Sequence, residues 1–143
     1  MENEEVKELK QKIFICVIVF IFIMVIGFVF IFNRFGSDTS EIQRRIRNRE
    51  NFVVVFFEEE DSNSTMILDM LDEKKIPYYD IDKASSTFSS VLKLLDVTYE
   101  VRVPAIYVVS EGKVLYNITN VSQEEEVENF LTLNDVESLL EEE

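Results

Sequence analysis

The sequence predicts an α/β domain, a mixed four-stranded sheet flanked by helices, preceded by one N-terminal transmembrane helix. Three observations carry this reading. Residues 13–32 are an uncharged apolar run. Residues 51–133 alternate between short β-rich runs and segments of helical periodicity. The composition excludes most competing architectures: 143 residues contain one Cys, three Gly, two Pro and no His or Trp.

The run IFICVIVFIFIMVIGFVFIF has only Gly27 outside the large apolar set. At about 1.5 Å per residue, twenty helical residues cover the roughly 30 Å hydrocarbon core. In lipid the backbone must satisfy its own hydrogen bonds, so this segment is helical despite its many β-branched residues. A cleaved signal peptide fits less well, because the run exceeds a usual h-region and no A-x-A-like site closes it. Residues 1–12 form a charged N-terminal tail. Basic residues leave the orientation open: Lys7, Lys10 and Lys12 precede the span, while Arg34, Arg44, Arg45, Arg47 and Arg49 follow it. Residues 33–50 read as a polar linker leading into a short basic amphipathic helix, with Ile42 and Ile46 at i, i+4 spacing. Its arginines suit a solvated face or anionic lipid headgroups equally.

The remainder is long enough for one small core. NFVVVFF at 51–57 is a continuously apolar, buried strand. EEEDSNS at 58–64 is a polar turn, and residues 65–75 form a helix capped by Asp61, Ser62 or Ser64. IPYYDID at 76–82 is a second strand, with Pro77 near its start. Residues 85–96 place Phe88, Val91, Leu92 and Leu95 on one helical face. Residues 101–110 and 114–119 form a hairpin around Glu111–Lys113, with Pro104 near the start of its first strand. A last helix over 122–133 takes Ser122 as its N-cap and carries Glu124, Glu125 and Glu126 in its first turn. Residues 134–143 are an acidic C-terminal tail or a second short helix. The first two strands, joined through a helix, run parallel, and the hairpin adds antiparallel strands.

Function classes fall away by residue type. Without histidine there is no imidazole base, no Ser-His-Asp triad and no His-ligated metal. One cysteine, Cys16, lying inside the span, allows neither a CxxC dithiol nor a Cys-rich zinc site. With 28 Asp+Glu against 14 Lys+Arg the formal charge is −14, which opposes nucleic acid as a partner. Residues 51–143 hold six basic and 21 acidic residues, net −15. Glu58, Glu59, Glu60 and Asp61 form a carboxylate run, but its spacing matches no EF-hand loop and consecutive side chains diverge. No metal site and no cofactor are expected. The carboxylate run favours basic partners over acidic ones. Three N-x-S/T sequons, at Asn63, Asn117 and Asn120, matter only in a eukaryotic secretory compartment.

The ordered set VVVFFEEEDSNSTMILDML, YYDIDK and LLDVTYEVRVPAIYVVSEGKVL resembles the thioredoxin-like superfamily over about 51–133. The resemblance implies a cis bond at Val103–Pro104, beside the loop where that family carries Cys-x-x-Cys. Here that loop reads Ser62, Asn63, Ser64 and Thr65. Thiol–disulfide exchange needs a low-pKa thiolate and a resolving thiol, and a serine hydroxyl supplies neither. The resemblance therefore implies a membrane-anchored, redox-inactive module, not an enzyme, whose groove receives an extended polypeptide by backbone pairing. Alternatives are a subunit of a membrane assembly or an accessory to a thiol–disulfide system. No GxxxG pattern in the span supports close helix pairing. Membrane-tethered members mostly work outside the cytoplasm, which implies an extracytoplasmic C-terminal domain. The lipid bilayer and an unidentified polypeptide are the implied partners.

Overall fold

The computed structural model describes residues 3–142, with side chains described except at 30–37. The chain divides into two compact units, Met1–Ser37 and Asp38–Glu143. Helical hydrogen bonding runs from Glu4 to Arg47 (α1). In the first unit the most apolar eighteen residues of the stretch Glu4–Val29 have a mean hydropathy of 3.1 and are unburied by protein. It is long and apolar enough to cross a membrane. Arg34 and residues 30–32, included in the sequence reading of the span and its flank, have side chains outside the described set. The 33–41 segment has helical backbone instead of an open linker.

The second unit is a four-stranded sheet of order β2-β1-β3-β4. Its strands are β1 (Phe52–Phe57), β2 (Tyr79–Asp82), β3 (Ala105–Ser110) and β4 (Lys113–Ile118). β1 pairs parallel with β2 and antiparallel with β3, and β3 pairs antiparallel with β4. β1 is buried on both faces, which is why its sequence is an unbroken apolar run instead of an alternating one. Successive side chains feed opposite cores. Val53, Val55, Ile106 and Val108 pack under α2 (Ser62–Glu73), α4 (Glu124–Leu133) and α5 (Val136–Glu141). Phe52, Val54, Phe56, Tyr107 and Val109 pack with α3 (Thr87–Leu94) and with Ile42.

Ile42 is the main departure from the sequence reading. Its side chain is fully buried and Ile46 packs beside it, so the apolar stripe of the basic segment covers the sheet. Arg44 and Arg45 each pair with Glu41 and Glu50, at 2.6–3.5 Å. Arg45 also lies over the Tyr79 ring, 5.6 Å from its centroid. The Arg44 guanidinium bonded to Glu41 holds that carboxyl below its usual range. α3, only eight residues long, leaves part of its face uncovered, and the end of α1 covers it.

Three boundaries also move. The folded unit extends past 133: in α5 Val136 is buried, Leu139 and Leu140 pack on the core, and Asn51 Nδ2 donates to the Leu139 carbonyl at 2.8 Å. The N-cap of α4 is Gln123; Ser122 Oγ instead donates to Glu126 Oε1 at 3.2 Å. β3 begins at Ala105, so residues 101–104 are irregular backbone. The hairpin turn places Glu111 and Gly112 at φ 53° and 79°, the signature of a two-residue turn that matches strand twist. Gly112 is also required by space: a Cβ there would lie 3.1 Å from the Ile46 carbonyl oxygen.

Candidate functional site

The C-terminal ends of β1 and β2 and the start of β3 share one end of the sheet. The Phe56–Ala105 register brings Pro104 level with Phe57. The Phe57 carbonyl accepts the Lys83 N–H at 2.8 Å, which ties the β2 exit to the same end. From Phe57 the chain turns through Glu60, at φ 63°, to Asp61.

Asp61 then starts α2. Its Oδ2 accepts the Ser64 N–H at 2.8 Å, as an N-cap side chain does. The same oxygen accepts the Ser64 hydroxyl at 2.8 Å, while Ser64 Oγ accepts the Glu58 N–H at 3.1 Å. Ser64 is thus buried, with its single proton committed. Thr65 is exposed, and its N–H and hydroxyl both donate to the Asp61 carbonyl, at 3.1 and 3.2 Å. Ser62 is exposed and Asn63 half-buried. This is the chemistry of a helix start: one carboxylate and one serine close the turn, and among the described residues neither exposed hydroxyl donates to a carboxylate.

Residues 101–104 lead into β3 at the same end of the sheet. Val101 and Pro104 are buried, and the Val103–Pro104 peptide bond is cis. The Arg102 carbonyl accepts the Asn120 N–H at 2.9 Å, and the Pro104 carbonyl accepts the Val121 N–H at 3.2 Å. Between these two anchored residues, the N–H and C=O of Val103 make no hydrogen bond among the described residues. A half-buried backbone donor and acceptor left unpaired is a feature that folded chains normally avoid. Such a donor and acceptor are open to solvent or to pairing with an extended strand.

The three sequon asparagines separate. Asn63 sits in the first turn of α2. Asn117 is exposed on β4 and donates to Tyr99 Oη at 3.3 Å. Asn120 is exposed at φ 54°, where the chain turns from β4 towards α4. No sequence pattern marks the Tyr99–Tyr107 hydroxyl pair, 3.1 Å apart. Burial, reinforced by the Tyr99 hydrogen bond, pushes the Tyr107 phenol upward in pKa. A cavity of about 320 Å³ opens at the opposite end of the sheet, between Arg45, Phe52, Pro77, Tyr79 and Leu140. Its polar groups are engaged internally: Tyr78 donates to Asp72 and Tyr79 to Glu41. The cavity thus offers little to orient a ligand.

No family model and no curated protein matches the chain. Solved structures do. Thioredoxin f2 from Chlamydomonas reinhardtii superposes with a TM-score of 0.51 at 8% identity, covering 69% of this chain and 94% of that one. Oxidized thioredoxin O1 from Arabidopsis thaliana gives 0.50 at 12% identity, covering 68% and 90%. A chain from a complex of ferredoxin:thioredoxin reductase with thioredoxin f2 gives 0.50 at 12%, covering 68% and 91%. The chain therefore has a thioredoxin-like fold. It carries that fold without a CxxC motif, since its one cysteine, Cys16, lies on the apolar N-terminal helix.

Proposed function

We propose that this chain is a membrane-anchored, redox-inactive thioredoxin-like module that binds an extended polypeptide through backbone pairing at Val103. The observation that carries this reading is that Val103 N–H and C=O make no hydrogen bond among the described residues, while the Arg102 and Pro104 carbonyls on either side are bonded. The anchor is the apolar stretch Glu4–Val29. The domain lies on the extracytoplasmic side, by analogy with tethered members of the fold. It performs no catalysis: Ser64 is spent on capping, and Ser62 and Thr65 have neither a base nor a resolving thiol.

The test uses the full chain in phosphatidylcholine nanodiscs and an eight-residue alternating threonine–valine peptide. A second peptide carries one N-methyl group at its central amide, which removes a single backbone donor and leaves the protein untouched. A net hydrogen bond of about 1 kcal/mol corresponds to binding weakened about fivefold. Equal affinity of the two peptides, or turnover in an insulin-reduction assay, contradicts the reading.

A further inference from the structure

We infer that the polypeptide accepted at the Val103 rung is basic: an extended segment carrying lysine or arginine at alternate positions. This rests on the docking reading above and adds the chemistry of the partner. The backbone rung makes the site, and the surrounding carboxylates select what enters it.

Two acidic runs adjoin this end of the sheet in the chain: one follows β1, whose Phe57 is level with Pro104, and the other follows Val121, whose N–H is bonded to the Pro104 carbonyl. Glu58, Glu59 and Glu60 are exposed on the loop that joins β1 to α2, and that loop is pinned by the Glu58 N–H to Ser64 Oγ bond. Glu124 and Glu125 are exposed in the first turn of α4, with Glu126 beside them. The Val121 N–H to Pro104 carbonyl bond ties the start of α4 to the rung. Three residues span at most about 11 Å, so Glu124 lies within about that distance of Val121. That is comparable with the Debye length of about 10 Å at 0.1 M salt, the range over which a carboxylate acts on a segment bound beside Val121. Among the described residues, Lys83 and Arg102 are exposed cations at this end, outnumbered by the carboxylates of Glu58, Glu59, Glu60, Asp61 and Asp82. An extended segment sends alternate side chains to opposite sides, so alternate cations can face the two acidic walls while its backbone pairs with Val103.

Three eight-residue peptides that share valine at alternate positions, with lysine, threonine or glutamate between, are titrated against the full chain in phosphatidylcholine nanodiscs. Empty discs serve as the blank. The lysine peptide is expected to bind at least tenfold tighter than the threonine peptide in 50 mM salt, and the glutamate peptide at least tenfold weaker. The preference should shrink in 0.5 M salt and in a Glu58→Gln, Glu59→Gln, Glu60→Gln variant, whose side chains lie outside both cores. Central N-methylation should weaken the lysine peptide as it weakens the neutral one. If all three peptides bind equally but remain sensitive to N-methylation, the charge inference falls and docking at Val103 stands. If the lysine peptide binds with no sensitivity to N-methylation, binding is electrostatic alone and both readings fall. Absence of binding by any peptide overturns both.

Discussion

Among single residues, Ser64 and Tyr107 make the most exposed commitments. Ser64 bridges the Glu58 amide and the Asp61 carboxylate in a buried position. Ser64→Ala leaves the Glu58 donor unpaired and should cost about 1–2 kcal/mol in urea unfolding. Thr65→Ala, one residue on and exposed, should leave the urea midpoint almost unchanged. The sequence marks Ser64 as one of three candidate caps and Thr65 as the last position of the loop where the fold carries Cys-x-x-Cys. Which hydroxyl turns inward depends on the helix starting at Asp61, and three candidate caps stood within four residues. Tyr107 carries a pH prediction. Its phenol has an ordinary pKa near 10 and is raised in the folded state, first by burial and then by the Tyr99 hydrogen bond. Its protonated form therefore stabilises the fold fully below pH 10, and that contribution is lost as pH rises further. Thermal unfolding followed from pH 7 to 11 should show a steep loss above pH 10. Tyr107→Phe keeps the edge-on contact with Phe56 at 5.3 Å, removes the ionisable group and should flatten that limb. Nothing in the sequence pairs Tyr99 with Tyr107, because that contact depends on a strand register that brings Asn117 opposite Tyr107.

Most elements were legible because each has a one-dimensional signature. β1 is an uninterrupted apolar run, α3 repeats its apolar residues at helical spacing, and Glu111–Gly112 supplies a turn with two positive φ values. What the pattern could not convey is which surface an apolar stripe meets. Ile42 and Ile46 show that the basic segment has an apolar side. That this side covers Phe52, Val54 and Phe56, not lipid, follows only from the short α3. Ile42→Ala should thus destabilise the domain by about 2–5 kcal/mol in chemical unfolding. Arg47→Ala, at an exposed site immediately before the turn, should change it little. If Ile42→Ala left the unfolding midpoint unmoved, the end of α1 would not belong to the folded unit. Gly112→Ala should also destabilise, since alanine there meets both a left-handed backbone and the Ile46 carbonyl.

Across the whole chain, the residue counts rule out a CxxC dithiol and an imidazole base, and the backbone at Val103 supports the proposed docking. A lone cysteine on the apolar helix and the absence of histidine were visible at once. The unpaired rung at Val103 was not, because it depends on where Asn120 and Val121 donate their amides. Orientation follows from the proposed role: a tag after residue 143 should be reached by protease from outside intact cells, and not only after lysis. The docking account itself is tested most directly by amide hydrogen exchange on the full chain in nanodiscs, with and without saturating peptide. Exchange at Val103 is expected to slow at least tenfold on binding. Asn120 and Val121, already bonded to Arg102 and Pro104, should stay as they are. Exchange at Val103 that is unchanged by bound peptide would contradict the account.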